Sequence, residues 1–394
     1  MAFDKMIVKK LLKKFDDVPF VVKFPDGEEL KVGEGEPQAI IRANGGIDMG
    51  AVMKSPSLAL GEAYMDKTLE LEKGDLFEIL NMVLAKLEDF ASDFSGLTKI
   101  MKTSTSKKNQ KQEIATHYDI GNEFFELWLD ETMSYSCGYF KHETDTLYDA
   151  QVHKVEHILK KLNLKEGQTL LDIGCGWGYL LIAAAKKYHV KGVGITLSEE
   201  QYKKGQERIK AEGLEGQVEI RLMDYRDLEK SGMTFDRIVS VGMLEHVSRD
   251  NYPLFFKNID KVLNKKGIVL LHYISGRQEH DGDPWIKKYI FPGGIIPSLR
   301  EIIYLIGEYN YYTLDVESLR RHYEKTLLEW SKNYAAKRDV IDTMFEERFV
   351  RMWELYLVSC ASVFHNGICD IHQILFTKGV DNDLPMTRNY LYED

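Results

Sequence analysis

A chain of 394 residues exceeds what one ordinary hydrophobic core supports and calls for about two domains. Hydrophobic and charged fractions of 44% and 29% are globular values, and a net charge of −10 argues against general nucleic-acid binding, leaving only a local basic patch for an anionic surface. The four cysteines, Cys137, Cys175, Cys360 and Cys369, form no CxxC pair, and no secretory signal is visible, so a reduced, cytoplasmic protein is expected. No apolar run reaches the roughly 18 to 20 residues of a membrane span, so any membrane contact is expected to be peripheral.

The opening MAFDKMIVKKLLKKF sets Phe3, Met6, Ile7, Leu11 and Phe15 at helical spacing, with Lys5, Lys9, Lys10, Lys13 and Lys14 around them. Two readings fit such a basic amphipathic helix. It lies on anionic lipid, or it packs on its own domain with a solvated lysine face. Residues 19–45 alternate and carry the turn PDGE, which predicts a small β-hairpin. Helices are predicted over 56–67 and 74–93. The stretch 98–112 has five lysines, no acid and many polar residues, the composition of a flexible basic linker.

From residue 116 strands alternate with helices. QTLLDIGCG, VKGVGIT, VEIRLMD, FDRIVSVGM and GIVLLHYIS read as buried strands. WGYLLIAAAKKY, SEEQYKKGQERIKAEG and YPLFFKNIDKVL read as helices between them. This alternation predicts an α/β fold with a doubly wound, mostly parallel sheet, beside a smaller α+β N-terminal domain. In LDIGCGWG the glycines at 174, 176 and 178 directly follow a strand, where a backbone must turn and approach a ligand closely. The spacing is neither the dinucleotide pattern nor a P-loop. Asp172 beside the turn suits a cationic ligand better than a pyrophosphate, and S-adenosylmethionine carries an ammonium and a sulfonium. Thr196 and Gln201 offer hydrogen bonds for ribose hydroxyls, and Asp224, Tyr225 and Arg226 offer a frame for adenine. All lie at carboxyl ends of strands, where open sheets bind ligands.

The motifs HYDIGNEFF, SYSCGYF, LDIGCGWG, GITLSEEQ, MLEHV, HYI and HYEKTLLEW occur in the order found in cyclopropane fatty acid synthases, and the chain resembles that family over at least 116–376. The long N-terminal region resembles the bacterial phospholipid-acting branch. The resemblance implies a class I S-adenosylmethionine-dependent methyltransferase (Rossmann-like) domain. It implies methyl transfer to a cis double bond of an unsaturated phospholipid acyl chain, then ring closure with bicarbonate as proton acceptor. Carried over residue by residue, it assigns the bicarbonate site to Cys137, Glu245, His272, Ile274 and Tyr323. It assigns donor contacts to Tyr118, Tyr135, Ser136, Gly174, Gly176, Thr196 and Gln201. Cys137 contributes through its backbone in this reading, because a strong nucleophile beside a carbocation would be alkylated.

The expected organisation is an N-terminal lipid- or membrane-associating domain over 1–97, a basic linker over 98–115 and a catalytic domain over 116–394. The segment 284–312, aromatic and aliphatic with an FPGG break, is expected to form a lid or lipid channel, or a helix pair completing the core. No metal site and no nucleic-acid partner are expected. Peripheral docking on the inner face of a membrane, and a homodimer that strengthens it, fit the basic segments. The rivals are a C-methyltransferase giving a branched chain, a lipid-binding protein on a decayed methyltransferase fold, and a head-group N-methyltransferase.

Overall fold

The computed structural model describes residues 6, 8, 9, 12–16, 18–86 and 120–392. Tyr118, Phe3, Lys5, Ile7, Lys10, Leu11 and the segment read as a linker lie outside the described residues. The N-terminal part runs β1 (Phe20–Lys23), β2 (Glu29–Val32), β3 (Ala39–Ala43), α1 (Met49–Lys54), α2 (Pro56–Met65), β4 (Leu69–Lys73) and α3 (Leu76–Ala85). β1 and β2 form the expected antiparallel hairpin across the PDGE turn, where Gly27 takes φ 86°, and β3 then adds parallel to β1. The sheet order is β2-β1-β3-β4. Phe15 is buried with Phe20, Val22, Val32 and Ala39, while Met6, Lys13 and Lys14 are exposed. The described end of the basic helix therefore packs on its own sheet through Phe15 and presents lysines to solvent.

The rest of the chain runs α4 (Asn122–Glu126), α5 (Leu147–Lys161), β5 (Thr169–Ile173), α6 (Tyr179–Tyr188), β6 (Lys191–Thr196), α7 (Glu199–Ala211), β7 (Val218–Leu222), β8 (Phe235–Val241), α8 (Tyr252–Val262), β9 (Leu263–Gly276), α9 (Pro284–Tyr289), α10 (Leu299–Glu308), β10 (Tyr311–Ser318), α11 (Arg320–Ala336), α12 (Arg338–Met344), α13 (Glu347–His365) and β11 (Cys369–Lys378). Seven strands form one sheet in the order β10-β11-β9-β8-β5-β6-β7. The run β9-β8-β5-β6-β7 is parallel, and β11 is antiparallel to both β9 and β10. Strand side chains alternate between two cores. Leu171, Val269, Leu271 and Phe376 face α8 and α10, whereas Leu170, Ile268, Leu270 and Leu375 face α5, α6 and α7. β5 lies between β8 and β6, so the chain order reverses there and opens a crevice at the carboxyl ends of β5 and β8.

The compact units do not follow chain order. One gathers Asp283–Ile290 and Leu327–Ile368 with the N-terminal part, and the other holds the seven-stranded sheet with Phe291–Thr326 and Cys369–Asp394. Within the first unit, α13 packs on α2 and α3, and α9 packs on α2. Gly61 permits the α2–α9 approach, since a Cβ there would lie 2.5 Å from the Trp285 ring. The stretch 284–312 also divides. α9 belongs to the first unit. Residues 291–298 run along the end of β9, where Gly276 donates to Pro297 O at 2.9 Å. α10 carries a Ser298–Glu301 capping box and buries Ile302 and Ile306 in the sheet core, followed by buried Tyr311 of β10. The stretch thus comprises the short helix α9, the run 291–298 and the core helix α10. No helix among the described residues is long and apolar enough to cross a membrane.

Candidate active site

β5 reads TLLDI, buried from Leu170 to Ile173, and the chain then turns through Gly174 (φ 82°), Gly176 (φ 54°) and Gly178 (φ 82°) before α6 begins. These are left-handed conformations that side chains resist. Amides of Gly174 and Cys175 donate to Ile195 O of β6 at 3.0 and 3.1 Å, which fixes the turn against the sheet. A Cβ on Gly174 would lie 3.0 Å from Met243, the residue that follows β8 by two. A Cβ on Gly176 would meet nothing within 4 Å, so that part of the turn faces open space.

That space is a cavity of about 140 Å3 at the crevice, within the second unit. Of the residues expected from sequence, Tyr135, Ser136, Asp172, Gly174, Gly176, Thr196, Gln201 and Tyr225 line it. Thr196 Oγ1 donates to Gln201 Oε1 at 2.8 Å, which leaves the Gln201 amide NH2 for other partners. Tyr225 is buried and packs edge-on against Phe255, with its hydroxyl unpartnered. Asp224 and Arg226 do not line the cavity. The Asp224 carboxylate accepts from the Arg226 backbone N–H (2.9 Å) and from its Nε (2.8 Å), so the two satisfy each other at the end of β7. A larger depression of about 560 Å3 lies at the opposite ends of β5, β6 and β8, beside Lys191, Gln217 and Phe235, and carries no comparable set of buried charges.

Sequence reasoning missed Lys154, Trp177, Met223, Met243 and His246 in the cavity wall. Lys154 is buried and its Nζ donates to Ser136 Oγ at 3.1 Å. Its signal was present: Gln151, Lys154, His157 and Lys161 share one face of α5 and are all buried. Burial pushes the Lys154 ammonium down to about 8, and burial pushes the Asp172 carboxyl up to about 7 against the opposing pull of Lys154. Asp172 Oδ1 has no hydrogen-bond partner. A buried acid with an unmet acceptor, next to an open glycine turn, fits the ammonium end of S-adenosylmethionine.

The stretch SYSCGYF is pinned between α5 and α11. Gln151 Nε2 donates to Ser136 O (2.8 Å), Gly138 N to Thr326 Oγ1 (3.0 Å), and Phe140 N to His322 Nδ1 (3.0 Å). The Tyr135 ring rests on Phe125 and Trp128. Ser136 thereby borders the cavity while Cys137 is wholly buried, its Sγ 3.2 Å from Gly138 O and 3.9 Å from Leu319 O. Burial pushes the Cys137 thiol far up, so it is no thiolate.

The remaining assigned residues gather at the neighbouring strand ends. Gly242, just past β8, donates to His272 O of β9 at 2.8 Å. Glu245 then curls back in a 3-10 turn and accepts the Ile274 N–H on Oε1 at 2.7 Å. Across the sheet Ile274 is paired with Ile371, whose carbonyl accepts from Leu319 N (2.8 Å). Leu319 O in turn accepts from Tyr323 N (3.1 Å). A hydrogen bond thus ties Glu245 to Ile274, strand pairing sets Ile274 opposite Ile371, Leu319 bridges Ile371 and Tyr323, Gly242 ties in His272, and Cys137 lies against Leu319. Glu245 Oε2 and His272 Nε2 are both buried with no partner. Burial pushes the Glu245 carboxyl up to about 7, although Ile274 N–H pulls it down, and burial pushes the His272 imidazole down to about 3. Neither side chain lines the cavity, and each leaves one buried polar atom unpartnered beside the ends of β8 and β9.

A family model described as mycolic acid cyclopropane synthetase matches residues 105–374, and a domain of unknown function matches 7–95. A cyclopropane-fatty-acyl-phospholipid synthase of Escherichia coli K12 is 40% identical over 360 residues, covering 90% of this chain and 92% of that protein. A probable fatty acid methyltransferase of Pseudomonas putida is 38% identical over 385 residues, covering 95% and 96%. Among solved structures, the mycolic acid cyclopropane synthase CmaA1 complexed with SAH and CTAB is 33% identical with a TM-score of 0.64. The match covers 68% of this chain and 98% of that one. Cyclopropane synthase MmaA2 from Mycobacterium tuberculosis aligns equally well, at 32% identity and a TM-score of 0.64.

Proposed function

The chain belongs to the cyclopropane synthetase family and is an S-adenosylmethionine-dependent methyltransferase, and from this premise we propose that it converts the cis double bond of an unsaturated phospholipid acyl chain into a cyclopropane. S-adenosylmethionine supplies the electrophilic methyl group and bicarbonate supplies a weak base. The alkene carbon that gains the methyl leaves a cation on its neighbour. Loss of one proton from the new methyl then frees the electron pair that closes the ring.

In this reading Asp172 binds the donor's ammonium, the glycine turn admits its backbone, and Thr196 with Gln201 holds the ribose. Tyr225 gives an apolar face and Tyr135 and Ser136 close the cavity. Asp224 and Arg226 hold the end of β7 rather than touching adenine. Glu245, held in place by the Ile274 N–H, accepts the O–H of the base, His272 Nε2 donates to another of its oxygens, and Tyr323 and the backbone at Cys137 complete the cradle. The observation that carries the proposal is the pair of orphaned buried atoms, Glu245 Oε2 and His272 Nε2, at adjacent strand ends. An unpaired buried acceptor and donor cost free energy that a fitting anion offsets.

Mass spectrometry of unsaturated phospholipid vesicles after incubation with donor tests the reading. A gain of CH2 with loss of the double bond and survival through hydrogenation is expected. A saturated methyl-branched chain would replace it with C-methyl transfer alone. Cys137→Ser is expected to retain activity within a few-fold, since Gly138 O can accept a serine hydroxyl where the thiol sits. Complete loss in a folded, donor-binding Cys137→Ala protein would make the thiol catalytic.

Docking on an anionic membrane through Lys13, Lys14 and the lysines of 98–112, as a homodimer, completes the proposal. Binding to anionic vesicles should weaken steeply between low and 0.5 M salt, because screening shortens to a few ångströms, about 4 Å. Equal binding to neutral vesicles at both salt levels would remove the electrostatic part.

A further inference from the structure

His272 and Gln373 stand directly opposite each other on the antiparallel strands β9 and β11, and both are about 1% exposed. The Gln373 amide nitrogen lies 3.4 Å from His272 Nδ1. On the far side of the ring Nε2 has no partner. Facing this pair are Lys154, His157 and Lys161 from α5 and Glu317 from β10. Burial and the nearby positive charges of Lys154 and Lys161 keep the imidazole neutral, so it carries a single N–H.

Which nitrogen carries that proton decides what the ring can do. A ring protonated on Nδ1 offers a lone pair at Nε2 and repels an anion there. A ring protonated on Nε2 donates to it. We infer that Gln373 is a positioning residue: its amide N–H donates to His272 Nδ1, places the ring proton on Nε2 and so makes His272 a hydrogen-bond donor toward the base site. The inference rests on the proposed base site, and it adds a residue that none of the carried-over positions includes.

The amide's own orientation follows from what each choice leaves unsatisfied. With nitrogen toward His272, the atom left over is Gln373 Oε1, a buried acceptor without a partner. The reverse orientation would leave an NH2 group with two unmet donors in the same place. Orphaned donors are the rarer and costlier defect in protein interiors. The ring could still rotate, but β9 and β11 hold both backbones in register through Cys369↔Gly276 to Thr377↔Ile268, so Gln373 stays within reach.

The test is 15N NMR of the full-length, histidine-labelled protein without ligand, with His272 identified by its absence in His272→Ala. A protonated Nε2 and an unprotonated Nδ1 are expected in the wild type across pH 6 to 8. A protonated Nδ1, or an even mixture, would overturn the inference. Gln373→Leu keeps the volume and removes the donor. Its His272 is expected to lose the single-tautomer signature, and the sodium bicarbonate concentration for half-maximal rate to rise ~10-fold, the loss of about one charge-assisted hydrogen bond, with donor KM unchanged. Gln373→Met serves if the leucine variant misfolds. A Gln373→Leu protein with the wild-type tautomer would also overturn it. Should the tautomer respond as expected while wild-type activity ignores bicarbonate, the tautomer assignment stands and the base reading fails.

Discussion

Asp172→Asn is expected to weaken donor binding ~100-fold while making the ligand-free protein more stable at pH 8. The carboxyl is 3% exposed, one of its oxygens has no partner, and burial raises it to about 7 from an ordinary value of 3.8. A folded-state value above the unfolded one means that the folded chain keeps a proton the unfolded chain has released. Stability therefore falls as pH rises from about 4 to 7 and stays low above that, by on the order of 4 kcal/mol for about three units. Asparagine has no charge to bury, so the gain in Tm should be largest at pH 8 and vanish near pH 4. The donor reverses the balance. Its ammonium stabilises the carboxylate, and a charge-assisted hydrogen bond worth about 2–3 kcal/mol corresponds to the expected loss. Wild-type affinity should rise from pH 6 to 8, with proton release at pH 6 visible by calorimetry in buffers of different ionisation enthalpy. The asparagine variant should show neither. Wild-type affinity and proton release in Asp172→Asn would remove the acid from donor binding.

The same residue shows what the sequence carried legibly. Asp172 follows a run of apolar residues and precedes three glycines, and both signals are local. The five strands from β5 to β9 were legible for that reason, each an apolar run closed by Gly, Asp or Thr. β10 and β11 were not, because YYTLDVES mixes charges into an edge strand, and β11 enters antiparallel beside β9 by a pairing nearly 100 residues away in sequence. α13 has a clear apolar face, but periodicity says only that a face is buried, not against what. It packs on α2 and α3 of the N-terminal part. At the site, Arg226 was set beside adenine because its type and position allowed it. The structure sets it in an i,i+2 ion pair with Asp224, off the cavity wall, and pairing of that kind depends on side-chain rotamers. Gln373 was invisible for a related reason: it sits on β11, which the local pattern does not reveal, and only the tertiary arrangement sets it beside His272.

Glu245→Gln is expected to cut cyclopropane formation by ~10²–10³-fold with donor affinity within about twofold of wild type, the range for loss of a positioned acid–base partner. The glutamine oxygen can still accept the Ile274 N–H, now made by Oε1 at 2.7 Å, so the 3-10 turn after β8 should hold. What changes is the second arm. Oε2 is a buried acceptor without a partner, and an NH2 in its place points a donor where the anion's O–H must be received. The anion then loses both orientation and the contact that keeps it a base. The pH profile separates this group from Asp172, although burial raises both to about 7. Saturating donor holds Asp172 ionised, so an acid limb that persists in kcat belongs to Glu245 and should flatten in Glu245→Gln. An acid limb seen only in kcat/KM for the donor belongs to Asp172. Product analysis adds an independent arm. With methyl transfer intact and removal of the methyl proton impaired, lipid that does react should appear partly as methyl-branched alkene, the cation losing a proton from a neighbouring chain carbon to water instead. A variant that makes only cyclopropane at the wild-type rate would exclude Glu245 from the proton-accepting site, and the Ile274 contact would then be purely structural.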